Sequence, residues 1–243
     1  MKENKMKNTA IIIPTYNELD NIERLIKEIK KKVKNSTIFI VDDSKKNDIG
    51  RLIFNKKIKV KYFHRKKKYG RGSAVLYGLK EAIKNKNNKI FIEMDADFSH
   101  DPKELINNIK FFKKKKLDLL IASRYLKNSK IINWSISRRI FSKLSNFLAR
   151  NLLQIILHDF TNGFRIYSKR STKKIIQNCG NIGDGFIILS EIIVVLHNNG
   201  FKIDEVSSKF VNRKRGESSV NISLIFASLF GLLKLVFIKH KLK

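Results

Sequence analysis

The chain has 243 residues, enough for one sizeable domain, and its hydrophobic fraction of 42% excludes a disordered polyelectrolyte. A single cysteine, Cys179, excludes an internal disulfide. The 52 basic residues outnumber the 21 acidic ones for a formal charge of +31, yet the runs Lys30 to Lys32, Arg65 to Lys68 and Lys113 to Lys116 lie far apart and do not interleave with aromatic residues. No nucleic-acid partner is therefore expected. An anionic substrate, an anionic membrane surface, or joint inflation of Lys, Asn and Ile by an AT-biased coding sequence accounts for the charge equally well.

The N-terminal MKENKMKNTA lacks the apolar core of a secretory signal, which leads us to expect a protein kept on the cytoplasmic side. AIII (10–13) predicts a first strand, followed by PTYNE and a helix over 19–33. TIFIV (37–41) predicts a second strand ending in Asp42-Asp43, and KVKYF (59–63) a third. A glycine-punctuated turn then leads into a helix through Ala82. IFIEM (90–94) and LDLLIA (117–122) predict the fourth and fifth strands, on either side of a helix from Pro102 to Lys114. This alternation predicts an α/β fold with a mostly parallel central sheet flanked by helices. The second half reads as a long helix over 131–157, an extended FRIYS (164–168), helices near 171–178 and 186–198, and an extended stretch over 202–211. The basic turn NRKRGESS (212–219) follows.

In open parallel sheets ligands sit at the carboxyl ends of the strands. Pro14 to Glu18, Asp43, Asp95, Asp97 and Arg124 all fall at or just after such ends. Asp95 and Asp97, separated by Ala96, can converge on one cation if the backbone turns. Hard divalent ions such as Mg²⁺ take oxygen ligands and leave positions for substrate phosphates. Two like charges at a strand end are costly unless a cation is present. Ser99 and Asp101 before Pro102 are instead read as helix caps. In KKKYGRGSAVLYG (66–78), Gly70 and Gly72 permit tight turning and Arg71 can reach a phosphate. This is neither a Walker loop nor a dinucleotide fingerprint. Gly78 reads as a helix-packing glycine.

IIIPTYNE, VDD, GRGSA, MDADFSHDP, SRY, DFTNGFRIY and NRKRGESS occur in an order that resembles the dolichyl-phosphate mannose synthases, inverting family 2 glycosyltransferases of the GT-A fold. The resemblance runs from about Ile11 to Ser219. It implies transfer of mannose from GDP-mannose to dolichyl or another polyprenyl phosphate, with Mg²⁺ or Mn²⁺. It also implies that Pro14, Tyr16, Glu18, Val41 and Asp43 hold the donor nucleoside, and that Asp95, Ala96 and Asp97 bind the metal and the diphosphate–sugar junction. Arg124 and Arg213 would meet phosphates, and Arg139 and Ser142 would receive the lipid phosphate. The plain reading of Arg138 and Arg139 is a solvated helix face. A phosphate monoester, with a second pKa of roughly 6, needs no general base, so the lack of an obvious catalytic His or Cys is expected. Asp97 and Arg124 are then the residues expected to handle charge in catalysis. Glu191, in an apolar helix, is read as structurally paired rather than catalytic.

Two departures stand out. SKKNDIG follows Asp43 where the family usually has a Ser-Pro-Asp-Gly-Thr loop, and Ser219 follows GES where a lysine is usual, with Lys214 or Arg215 as substitutes. A UDP-glucose-dependent polyprenyl-phosphate glucosyltransferase, another family 2 enzyme, and a basic binding protein on a degenerate enzyme fold are the alternatives.

A division into a catalytic domain over 1–220 and a C-terminal helix over 221–243 is expected. At about 100° per residue, Ile222, Ile225, Phe226, Leu229, Phe230, Leu232, Leu233, Val236 and Phe237 share one face. Ser223, Ala227, Ser228, Gly231, Lys234 and Lys239 share the other. The run is short of the roughly 20 apolar residues of a spanning helix and contains Lys234. An amphipathic helix in the membrane interface is expected, with packing on the domain's own core as the alternative. A peripheral enzyme on the cytoplasmic membrane face follows, and a small membrane-spanning partner subunit is compatible with it.

Overall fold

The computed structural model describes residues 8–183, 185–212 and 222–242, with side chains of the last segment described from Leu229. β1 (Thr9–Thr15), β2 (Thr37–Asp42), β3 (Lys61–His64) and β4 (Ile90–Glu93) alternate with α1 (Leu19–Lys32), α2 (Asp48–Asn55) and α3 (Arg71–Ile83). α4 (Leu105–Lys115), β5 (Leu119–Ser123), β6 (Lys130–Ile132) and α5 (Ile136–Leu153) follow. β7 (Arg165–Ser168), α6 (Lys169–Asn178), α7 (Ile187–Asn198), β8 (Ile203–Ser207), β9 (Lys209–Val211) and α8 (Ile222–Ile238) complete the order.

The main sheet has seven strands in the order β3-β2-β1-β4-β7-β5-β8. β7 runs antiparallel between β4 and β5, and all other neighbours are parallel. The expected mostly parallel sheet is therefore present. The inner strands β1, β2, β4 and β5 are buried on both faces, which explains why they read as apolar runs. In β1, Ala10 and Ile12 enter one core with Val75, Leu79 and Ile192, while Ile11 and Ile13 enter the other with Ile22, Leu25 and Ile109.

Three expectations are corrected. Asp48 to Asn55 form helix α2 where only a connection between the second and third strands is expected. The helix expected over 131–157 begins only at Ile136, because Lys130 to Ile132 pair with β9 in a separate two-stranded sheet. The extended stretch over 202–211 is likewise split, β8 joining the main sheet and β9 the small one. Glu191 is paired as expected: its carboxylate accepts the N–H groups of Gly180 and Asn181 at 2.9 and 3.1 Å. Burial pushes its pKa up, only partly offset by those two bonds.

α8 does not divide its faces as expected. Gly231, Leu232 and Leu235 are buried, whereas Leu229, Phe230, Leu233 and Phe237 are exposed together with Lys234. Gly231, expected on the polar face, sits against Ile187 of α7, where an added Cβ would come within 2.8 Å. Close approach of two helices thus decides which stripe turns inward, leaving large apolar side chains outside. Among the described residues no helix is long and apolar enough to cross a membrane.

Gly78 of α3 is the packing glycine the sequence suggested. A Cβ there would stand 2.5 Å from Ile12 Cγ2 of β1 and 3.3 Å from Val41 Cγ2 of β2. Gly78→Ala should therefore force the helix off the sheet at a cost of about 1–3 kcal/mol. Urea unfolding checks this: the midpoint should fall with the slope unchanged.

Candidate active site

The site is built where β1, β2 and β4 end. β1 and β2 run in register through Thr15 and Asp42, so their carboxyl ends lie side by side. Pro14 and Val41 are buried strand residues at that edge, and Asp43 N–H donates to Thr15 O at 3.0 Å. Asp42 is fully buried and structural, accepting hydrogen bonds from Thr15 Oγ1, Ser44 and Tyr62 Oη. Asp43 faces the α3 turn: Arg65 meets both its oxygens, at 2.6 and 2.7 Å, and Tyr69 N–H donates to it at 2.9 Å. Tyr16 is half-buried with Lys68 Nζ 4.4 Å from its ring centre, and Glu18 accepts from Asn21 at 2.8 Å.

At the end of β4, Glu93 is wholly buried and Asp95 partly exposed. Arg71, first residue of α3, lies between them: Nη1 reaches Glu93 Oε1 at 2.6 Å, and Nη2 reaches Asp95 Oδ1 at 2.6 Å. Tyr167 Oη donates to the second Glu93 oxygen at 2.6 Å. Burial works against the Arg71 charge, but Asp95 and Glu93 outweigh it and hold the guanidinium pKa above its ordinary value. Burial likewise raises the Tyr167 phenol, and Glu93 raises it further. Arg71 can lie here only because residue 163 is glycine. A Cβ on Gly163 would fall 1.9 Å from Nη2.

Asp97 is buried beyond the turn, and its Oδ1 accepts from Ser99 N–H at 3.0 Å. Ala96 is buried between the two aspartates. Phe98 takes a left-handed φ of 62°, which bends the chain here at a cost for a residue with a side chain. Asp101 caps the following turn through Lys103 N–H, while Ser99 serves the Asp97 turn instead.

Arg124 is anchored to a buried acid. Its guanidinium makes a bidentate pair with Asp159 at 2.8 and 2.7 Å and reaches Thr161 Oγ1 at 2.6 Å. It is 8% exposed, with its Cζ 5.4 Å from the ring centre of Trp134 and 5.6 Å from that of Phe210. Burial disfavours both charges, yet each partner outweighs it. The Arg124 pKa is held up and the Asp159 pKa down. The Arg71 guanidinium is likewise engaged by acids, Glu93 and Asp95.

α5 closes one side of the site. Ser142 accepts from Tyr125 Oη, Asn146 Nδ2 lies 3.3 Å from Thr161 Oγ1, and Asn146 Oδ1 accepts from Phe160 N–H at 2.7 Å. Arg139 is exposed and donates to Ile131 O at 2.8 Å, while Arg138 lies over Trp134 at 4.2 Å. The outer side of the helix exposes Ile136, Ile140, Phe141, Leu144 and Phe147. Arg213, Lys214, Arg215 and Ser219 lie outside the described residues.

Sequence reading missed Arg65, Glu93, His100, Asp159 and Asn162 as parts of this site. The charged Glu93 inside an apolar strand was a local signal, and His100, Asp159 and Asn162 lie within the motifs MDADFSHDP and DFTNGFRIY, but which groups they pair with shows only when the sheet brings them together.

Among the described residues no group of three or more His, Cys, Asp or Glu is placed to hold a metal ion. The two carboxylates on the β4 turn fit a hard divalent cation only as a partial ligand set, completed by substrate phosphate and water.

The model for the glycosyl transferase family 2 matches residues 10–176. Polyprenol monophosphomannose synthase of Mycolicibacterium smegmatis is 31% identical over 228 residues, covering 92% of this chain and 85% of that protein. Dolichol-phosphate mannosyltransferase of Pyrococcus furiosus is 33% identical over 233 residues, covering 93% of this chain and 63% of that longer protein. Among solved structures, glucosyl-3-phosphoglycerate synthase from Mycobacterium tuberculosis in complex with UDP aligns with a TM-score of 0.65 at 15% identity, covering 95% of this chain and 80% of that one. The complex of the same enzyme with Mn²⁺, UDP-glucose and phosphoglyceric acid gives a TM-score of 0.66 at 15% identity, covering 95% and 80%. At that identity the likeness shows the GT-A fold alone. With a family model spanning more than half its length and two relatives above 30% identity, the chain belongs to glycosyl transferase family 2 and is a glycosyltransferase.

Proposed function

We propose that the protein transfers mannose from GDP-mannose to a polyprenyl phosphate such as dolichyl phosphate, with inversion at the anomeric carbon. The observation that carries this reading is the two-sided character of α5. Its inner side meets the site through Ser142 and Asn146, and its outer side exposes Ile140, Phe141, Leu144 and Phe147. An apolar surface beside a strand-end site suits an acceptor whose phosphate stands at a bilayer surface and whose chain lies in it. The names of the two relatives support the same acceptor and sugar.

In this reading Asp95 and Asp97 hold Mg²⁺ or Mn²⁺ against the donor diphosphate. When bound, the ion supplies charge neutralisation on the leaving group. Pro14, Tyr16, Glu18, Val41 and Asp43 line the nucleoside side. Arg71 and Arg65 fix the orientation of Asp95 and Asp43, and Arg124 fixes the Asp159 loop, with Arg71 and Arg124 also meeting substrate phosphate. Arg139 and Ser142 stand where the lipid phosphate arrives, with the basic turn containing Arg213 as a further source of positive charge. The acceptor phosphate oxygen attacks the anomeric carbon from the face opposite the diphosphate. The new oxygen–carbon bond forms as the bond to GDP breaks, and GDP departs with the electron pair. An already ionised phosphate needs no base for this. α8 and α5 together lay the enzyme on the membrane, on its cytoplasmic face. A small membrane-spanning subunit would extend the same surface.

Transfer of labelled sugar from GDP-mannose and UDP-glucose to polyprenyl phosphate, with and without EDTA, tests the reaction. Metal-dependent mannolipid is expected, and glucolipid alone would replace the donor. Asp97→Asn should lower turnover about a hundredfold or more while circular dichroism stays unchanged; retained turnover would remove the cation from the mechanism.

Membrane docking has its own check, by co-sedimentation with anionic vesicles. Each buried aromatic contributes about 1.5–3 kcal/mol, so Phe147→Glu should weaken vesicle binding about tenfold or more. Turnover of a short-chain acceptor in solution should stay close to that of the unmodified chain.

A further inference from the structure

Asp95 carries a backbone N–H just past the end of β4, and it donates to Nδ1 of His100 at 3.0 Å. His100 is 1% exposed, its ring stacked on Phe164 at 5.3 Å between centroids and met edge-on by Phe210 at 5.5 Å. The far side of the ring fixes the tautomer. Asn162 donates its Nδ2 to Ala122 O and its N–H to Asp159 Oδ1, so its amide oxygen faces His100. That oxygen lies 3.0 Å from Nε2. An amide oxygen only accepts, so Nε2 bears the hydrogen and Nδ1 keeps the lone pair that Asp95 requires. Asp95 Oδ2, 3.8 Å from Nε2, is too distant to compete.

We propose that His100 is the positioning residue of the Asp95–Asp97 turn, set in one tautomer by Asn162 so that it holds the Asp95 backbone and aims both carboxylates at a divalent cation. The proposal rests on the reading that these carboxylates hold that cation. The turn has reason to need such a hold. Phe98 sits in a left-handed conformation within it, between Asp97 and the Ser99 N–H that Asp97 accepts. His100 and Asn162 also join this turn to Asp159, the partner of Arg124, so one continuous set of hydrogen bonds spans both parts of the site.

The experiment is Mn²⁺ binding to the full chain in the presence of GDP, followed by the electron paramagnetic resonance signal of free Mn²⁺. His100→Phe keeps a stacked ring and removes the acceptor, while His100→Asn returns an acceptor oxygen near the position of Nδ1. Loss of a group that orients metal ligands typically weakens metal binding about 10–100-fold. His100→Phe should fall in that range, and His100→Asn should recover most of the loss. Binding of GDP without metal should not change, a readout that general loosening of the fold would move. Equal Mn²⁺ affinity in the unmodified chain and His100→Phe, or no recovery in His100→Asn, would overturn the proposal. If His100→Phe fails to fold, Asn162→Leu carries the same test by freeing the tautomer; it should weaken Mn²⁺ binding, and unchanged affinity would overturn the proposal. Failure of the unmodified chain to bind Mn²⁺ at all would instead overturn the cation reading, and this proposal with it.

Discussion

The site depends on the placement of one guanidinium. Arg71 lies between a wholly buried Glu93 and the first residue of the β4 turn, Asp95. Glu93 has no access to water, and breaking a buried ion pair by removing one partner typically costs about 3–5 kcal/mol. Arg71 therefore joins α3 to β4 electrostatically, just where the sheet hands over to the turn. Gly163 leaves the space for it, so the β7 approach, the α3 start and the β4 end are fixed together.

The same pattern recurs across the strand ends. Asp43 is matched by Arg65 and Asp159 by Arg124, each through two short hydrogen bonds. Low dielectric surroundings strengthen each pair but make any unpaired member expensive. These arginines serve as internal counter-ions to the acids at the strand ends. At these strand ends Asp43 and Asp159 are each matched to an arginine, because a planar guanidinium satisfies both oxygens of a carboxylate at once.

The outer surface follows another logic. α5 is held to the site by hydroxyl and amide contacts on its inner side, leaving a spacing of Ile136, Ile140, Leu144 and Phe147 that follows successive helical turns. α8 turns its smallest residue, Gly231, toward Ile187 and thereby leaves Leu229, Phe230, Leu233 and Phe237 outward. Two helices of one enzyme thus expose apolar rows, where a water-facing helix would present polar ones.

Sequence alone determined the alternating strands and helices, the sheet class, the packing role of Gly78 and the position of the acidic turn after β4. Those properties are written in local periodicity and in residues adjacent along the chain. The antiparallel insertion of β7, the separation of β6 and β9 into their own sheet and the helix after Asp43 were not legible, because short extended segments carry no record of which neighbour they will pair with. Nor were the counter-ions. Arg71 and Glu93 are 22 residues apart, Arg124 and Asp159 35, and His100 and Asn162 62. Their meaning arises only when the sheet brings them within hydrogen-bond distance, since Coulombic pairing and burial depend on separation in space and not along the chain.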